Sequence, residues 1–97
     1  MTKKCAVLKS IPVSVNKAVS GLDFRIATSG SLTPVFGLSL DSESVGGGVY
    51  RVLVWVTTNR TFTGKFMTVA RGAISSVSNI IGSDIDGNEV ADVSITY

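Results

Sequence analysis

The chain has 97 residues, one domain's length, and its 44% hydrophobic content argues against a disordered chain. Only 16% of residues are charged, against about 25% in an average soluble domain. A surface so poor in charge suits a subunit covered by copies of itself better than a freely dispersed monomer.

Valine (14 residues) and serine plus threonine (22) dominate the composition and lean it toward strands, because β-branched side chains fit a pleated surface. The net charge of +2 is a sum of blocks. Residues 1–22 hold Lys3, Lys4, Lys9 and Lys17 and no acid; residues 44–83 hold Arg51, Arg60, Lys65 and Arg71 and no acid; residues 84–97 hold Asp84, Asp86, Glu89 and Asp92 and no base. The tail can pair with the central block inside the chain, with a neighbouring subunit, or leave a basic face for nucleic acid.

The first apolar run, Cys5–Leu8, stops at Lys9. It is too short for an export signal or a membrane span, so synthesis is expected in the cytoplasm. Cys5 is the lone cysteine and reads as a small buried hydrophobe. Cys5–Lys9 and Ile11–Asn16 read as short strands, the second an edge strand because of Pro12. Asp23–Ser29 alternates Phe24, Ile26 and Thr28 against Asp23, Arg25 and Ala27. Ser29-Gly30-Ser31 is a turn, and Pro34–Leu40 alternates again. Asp41–Gly48 reads as a polar, glycine-rich loop. Val49–Thr58 is the clearest strand, with Tyr50, Val52, Val54 and Val56 on one side and Arg51, Leu53, Trp55 and Thr57 on the other. One face is apolar and the other mixed, as in an antiparallel sheet packed on one side.

Beyond Asn59 the period changes. Phe62, Phe66, Val69, Ala73, Val77, Ile80 and Ile81 recur every three or four residues, as on one helix face. The spacing predicts a helix over 70–82, capped off by Gly82; 61–69 fits helix or returning strand. Thr58 or Asn59 is a candidate cap. Asp86-Gly87 marks a turn, and Ala91, Val93, Ile95 and Tyr97 alternate to the last residue. The expected fold is therefore α+β, mostly β: one domain over 1–97, with an antiparallel sheet of about four to six strands and a C-terminal helical segment packed on one face.

The absence of histidine excludes a Ser-His-Asp triad, a Cys-His pair and a histidine metal ligand. Asp84-Ile85-Asp86-Gly87-Asn88-Glu89 puts Glu89 where a calcium loop of the EF-hand type needs glycine, and reads as a plain turn. Gly46-Gly47-Gly48 lacks the Gly-Lys-Ser/Thr ending of a phosphate loop. No enzyme, cofactor, metal, membrane contact or small-molecule substrate is expected. Arg51 and Trp55 share the mixed face with Arg25 and Thr57; cations there neutralise phosphates and an aromatic stacks on bases. These four are the candidate nucleic-acid-binding residues. Phe62, Phe66, Val69, Ala73, Val77 and Ile81 are the candidate oligomer interface.

The order of a long strand Val49–Thr58, a Thr58-Asn59 break, an apolar-periodic stretch 62–81 and a terminal Ser94-Ile95-Thr96-Tyr97 resembles the coat proteins of single-stranded RNA bacteriophages. That resemblance implies two subunits sharing one sheet, helices crossing the partner's sheet, and a free sheet face that binds RNA inside a shell, with Arg25 and Arg51 on it. The expected function is a self-assembling structural subunit of a viral coat or shell, with itself as partner, RNA as a further candidate partner and the virion as a candidate location. A small nucleic-acid-binding module and a protein-binding inhibitor or adaptor are the alternatives.

Overall fold

The computed structural model describes residues 10–57 and 59–97. Nine strands run in chain order: β1 Ser10–Val19, β2 Gly21–Thr28, β3 Ser31–Pro34, β4 Ser39–Gly46, β5 Val49–Trp55, β6 Phe62–Ala70, β7 Ile74–Ser83, β8 Glu89–Val90 and β9 Ile95–Thr96. They form two antiparallel sheets, ordered β3-β6-β1-β9 and β4-β5-β2-β7-β8. The expected Cys5–Lys9 strand and the Thr58 cap lie outside the described residues.

Alternation builds the core, since every second strand residue faces the same way. Leu22, Phe24 and Ile26 of β2 and Val52 and Val54 of β5 are buried. They meet Val13, Val15 and Val19 of β1 and Phe66, Met67 and Val69 of β6. Phe24 and Phe66 join the two sheets edge to face, with ring centroids 5.7 Å apart and planes at 80°. Ser20 alone separates β1 from β2 where the chain crosses between sheets. Its N–H donates to the Ser83 carbonyl at 2.7 Å, and its hydroxyl donates to the Arg60 carbonyl.

The C-terminal helix predicted over 70–82 is not formed; the described chain is all β. Bulges explain the misleading period. In β7, Arg25 pairs with Ser78 but Asp23 with Ile81, so Asn79 and Ile80 together oppose Phe24. Asn79 takes a positive φ of 54° at that bulge. A second extra residue falls at Ser75, between the pairs Ala27–Ser76 and Thr28–Ile74. Each bulge adds one residue to the strand's period of two. The partly buried positions Ile74, Val77 and Ile80 thereby come three apart, the spacing of a helix face. In β6, Phe66 is extra between the pairs Val13–Met67 and Ser14–Lys65, so Phe62, Phe66 and Val69 fall four and three apart while all face inward.

Two shorter expectations also change. Asp41–Gly48, read as a loop, is most of β4 plus a Gly47-Gly48 turn in which Gly46, Gly47 and Gly48 all have positive φ. β4 is an edge strand exposed nearly throughout, so it carries no apolar alternation. The expected strand Pro34–Leu40 breaks at Val35–Leu38, closed by Leu38 N–H to the Val35 carbonyl at 3.0 Å. Pro12 and Pro34 stand where the ladder tolerates a missing N–H: Pro34 ends the edge strand β3, and β9 covers only Ser14 and Val15 of β1.

Candidate functional site

The outer face of the five-stranded sheet carries the chemistry. Its side chains form cross-strand rows fixed by register. Ser39, Trp55, Gly21 and Ser83 make one row. Asp41, Leu53, Asp23 and Ile81 make the next, followed by Glu43, Arg51, Arg25 and Ser78. Alternation turns these residues outward because their neighbours Leu22, Phe24, Val52 and Val54 fill the core.

Electrostatics on this face are local. Arg25 and Arg51 are directly opposed on β2 and β5, an unfavourable placement for like charges. Arg51 reaches the diagonal neighbour instead. Its Nε donates to Asp23 Oδ1 at 3.2 Å and its Nη2 to Oδ2 at 2.8 Å, a fork-to-fork pair. Those hydrogen bonds, and then the carboxylate's charge, hold the Arg51 guanidinium above its ordinary pKa. The group stays charged throughout the neutral range. Asp23–Arg51 is the sole ion pair among the described residues, so the acidic tail does not pair with Arg60, Lys65 or Arg71. Asp84 is occupied locally: its Oδ1 accepts the N–H groups of Asp86 and Asn88, each at 2.9 Å, which makes the turn the sequence indicates.

Beside the ion pair lies an apolar hollow of about 330 Å³, lined chiefly by Trp55, Leu53, Ile81 and Gly21. Leu53, Trp55 and Ile81 are 37%, 43% and 47% exposed. Gly21 creates the depression. It stands between Trp55 and Ser83 in its row, and two strand spacings separate those neighbours by about 9.5 Å. Gly21 is not required by its backbone: it has no positive φ, and a Cβ there would make an ordinary 3.8 Å contact with the Val54 carbonyl.

The structure separates the ten candidate residues. Arg25, Arg51 and Trp55 share the outer face, but the Leu53 row lies between the cations and the indole. Thr57 falls beyond the end of β5 and is exposed there. Of the six candidate interface residues, Phe66 and Val69 are completely buried in the chain's own core and have no surface to offer a partner. Phe62 and Val77 pack against that core. Ala73 is exposed in the β6–β7 connection, and Ile81 alone joins the outer-face hollow. Sequence reasoning singled out neither Gly21 nor Leu53 in this role. The signal was a glycine at the outward parity of β2, opposite the indole's strand, and it needed the β2–β5 register to be seen.

No family model, curated protein or solved structure matches this chain.

Proposed function

We propose that this chain is a non-enzymatic structural subunit that associates with copies of itself through the outer face of the five-stranded sheet. The observation that carries this reading is the cluster of Leu53, Trp55 and Ile81, large apolar side chains left together on an open sheet face. The neighbouring charges favour a like face as partner. Asp41 and Glu43 lie on β4 and Arg25 on β2, so a two-fold rotation can set the cation of one copy against the acids of the other. A shell or coat is one form such an assembly takes. The sheet-then-helix order behind the RNA-phage resemblance is absent, so support for assembly comes from this face alone.

The face is modest in extent. Five strands at about 4.8 Å spacing and seven residues at about 3.4 Å give a plan of roughly 24 by 24 Å. That lies toward the low end of what a specific interface needs, about 800 Å² per partner. A concentration-dependent dimer follows, rather than one inseparable from folding. Size-exclusion chromatography with light scattering, over a series of concentrations, tests it: the expected result is a shift from monomer to dimer mass, and a monomer at high micromolar concentration refutes the reading.

A second reading, RNA on the same face, draws on Arg25, which is exposed and has no ion-pair partner among the described residues. Filter binding of wild type and Arg25→Ala to a generic RNA across a salt series distinguishes it. Association through the apolar cluster leaves RNA affinity negligible in both proteins. An Arg25-dependent affinity that falls steeply with salt favours RNA.

A further inference from the structure

We propose that Phe36 of one copy seats in the hollow over Gly21 of a second copy, and reciprocally, so that two identical knob-in-hollow contacts anchor the dimer. This rests on the outer sheet face being the self-association surface.

Phe36 is the most exposed large apolar residue of the described chain, at 104%. Full exposure of a phenyl ring asks for a cover, because it leaves about 200 Å² of mostly apolar surface in water. The ring is carried by an anchored turn. Val35 N–H donates to the Phe66 carbonyl at 3.0 Å on one side, and on the other Leu38 N–H closes the turn while its side chain packs on the core. Gly37, at φ 94°, lets the backbone reverse between them. A knob held between two fixed neighbours loses little conformational freedom when it docks.

The hollow supplies the matching shape. Its 330 Å³ exceeds the volume of a phenyl ring, and Trp55, Leu53 and Ile81 give it apolar walls. The row that crosses it, Ser39, Trp55, Gly21 and Ser83, contains no charge. Asp23 also lines the hollow, and its carboxylate is already paired with Arg51. Seating a ring there strips water from no unpaired ion.

Placement favours a reciprocal dimer over an open chain of contacts. Phe36 precedes Ser39 by three residues, and Ser39 pairs directly with Trp55. Knob and hollow therefore lie at the same end of the molecule, the knob in the β3–β4 connection that joins the two sheets and the hollow on the five-stranded one, where a single two-fold axis can satisfy both at once. Each buried Phe36 would supply about a quarter of the roughly 800 Å² per partner of a standard interface. A buried aromatic anchor ringed by weaker contacts is the usual energetic centre of such a surface.

Sedimentation equilibrium on four samples tests the proposal: wild type, Phe36→Ser, Gly21→Val, and an equimolar mixture of the two variants. Gly21→Val fills the hollow at a strand position whose backbone accepts a side chain, so its far-ultraviolet spectrum and unfolding midpoint should match wild type. Each variant alone should raise the dimer Kd by at least about thirtyfold. The mixture should form heterodimers tighter than either variant's homodimer, because the intact Phe36 of one protein meets the intact Gly21 hollow of the other. Should Gly21→Val fail to fold, Trp55→Ala removes a wall of the hollow and should weaken the dimer likewise. A dimer whose Kd is unchanged in the variants overturns this contact and leaves the broader self-association reading standing. A mixture no tighter than its components overturns it equally. A monomeric wild type overturns both.

Discussion

Replacing Phe66 and Phe24 by leucine, singly and together, tests whether Phe66 belongs to the core. Phe66 is completely buried, between Phe24 of the opposite sheet at 5.7 Å and Phe62 at 6.1 Å. Truncation to alanine should cost about 3–5 kcal/mol. A domain of this size has a total stability of about 5–15 kcal/mol, so the alanine variant risks not folding. Leucine keeps most of the volume and limits the packing loss to about 1.5 kcal/mol. It also removes the edge-to-face pair, worth about 0.5–1.5 kcal/mol beyond its burial. Each single variant should therefore lose about 1–3 kcal/mol, and the double variant should lose less than the sum by the pair's share. Urea titration followed by circular dichroism reads this directly. At a slope of about 1 kcal/mol per molar, a coupling of 1 kcal/mol moves the midpoint about 1 M from additivity. Additive losses would mean that the rings do not meet. Unchanged stability with weakened association would put Phe66 at a contact between copies, the role in which the sequence makes it a candidate.

Other substitutions probe the bends and the face. Gly72→Ala should cost about 3 kcal/mol or more by thermal melting, because its Cβ would run into the Gly30 backbone, with Gly30 Cα only 2.6 Å away. Gly64 has φ 75° and open space around it, so Gly64→Ala should cost only the left-handed backbone penalty, about 1–2 kcal/mol. Asn79→Gly, at the positive-φ bulge of β7, should be near neutral in the same melts, while Asn79→Val should lose about 1–2 kcal/mol. Trp55→Ala should leave the melting midpoint within about 4 °C of wild type and weaken dimerisation in light scattering. A collapse of the fold in that variant would show that Trp55 supports the sheet itself.

The adjacent strands β2 and β5 of the five-stranded sheet are legible in the sequence; β4 and the C-terminal half are not. Asp23–Ser29 and Val49–Thr58 alternate without interruption, and their inward residues Phe24, Ile26, Val52 and Val54 are all buried. Their pairing is regular, with no slip from Gly21–Trp55 to Ala27–Val49. Parity alone therefore assigns the outer face to Arg25, Arg51, Leu53 and Trp55. β7 fails the same reading, and β6 stays open between helix and strand, because a bulge leaves no mark in local composition. It shifts every later side chain by one place, and the resulting steps of three and four are those of a helix. Gly64 and Asn79 are residues that tolerate positive φ, yet a turn or helix cap accounts for either as well as a bulge does. β4 fails for a different reason: an edge strand wet on both sides has no hydrophobic period to read. The pairing of Arg51 with Asp23 needed register, since diagonal neighbours are invisible until the strands are aligned.

The strand edges bear on how copies meet. β4 is an open edge with exposed Asp41 and Glu43. If two β4 strands paired about a two-fold axis centred on Asp41, Ser42 or Glu43, an acid would stand opposite an acid, which opposes pairing. At the other side, β8 covers only Gly82 and Ser83 of β7. The remainder of that edge carries both bulges, which disrupt a ladder for any incoming strand. In the second sheet, β3 is four residues long and ends in Pro34. These three edges carry devices that discourage strand addition, while the outer sheet face keeps its apolar residues in the open. Self-association should therefore stack faces without adding strands. Diluting the protein through its dimer transition should change the tryptophan emission of Trp55 and leave the far-ultraviolet circular dichroism per residue constant. A loss of strand signal on dilution, with constant emission, would place the contact at an edge and refute the face.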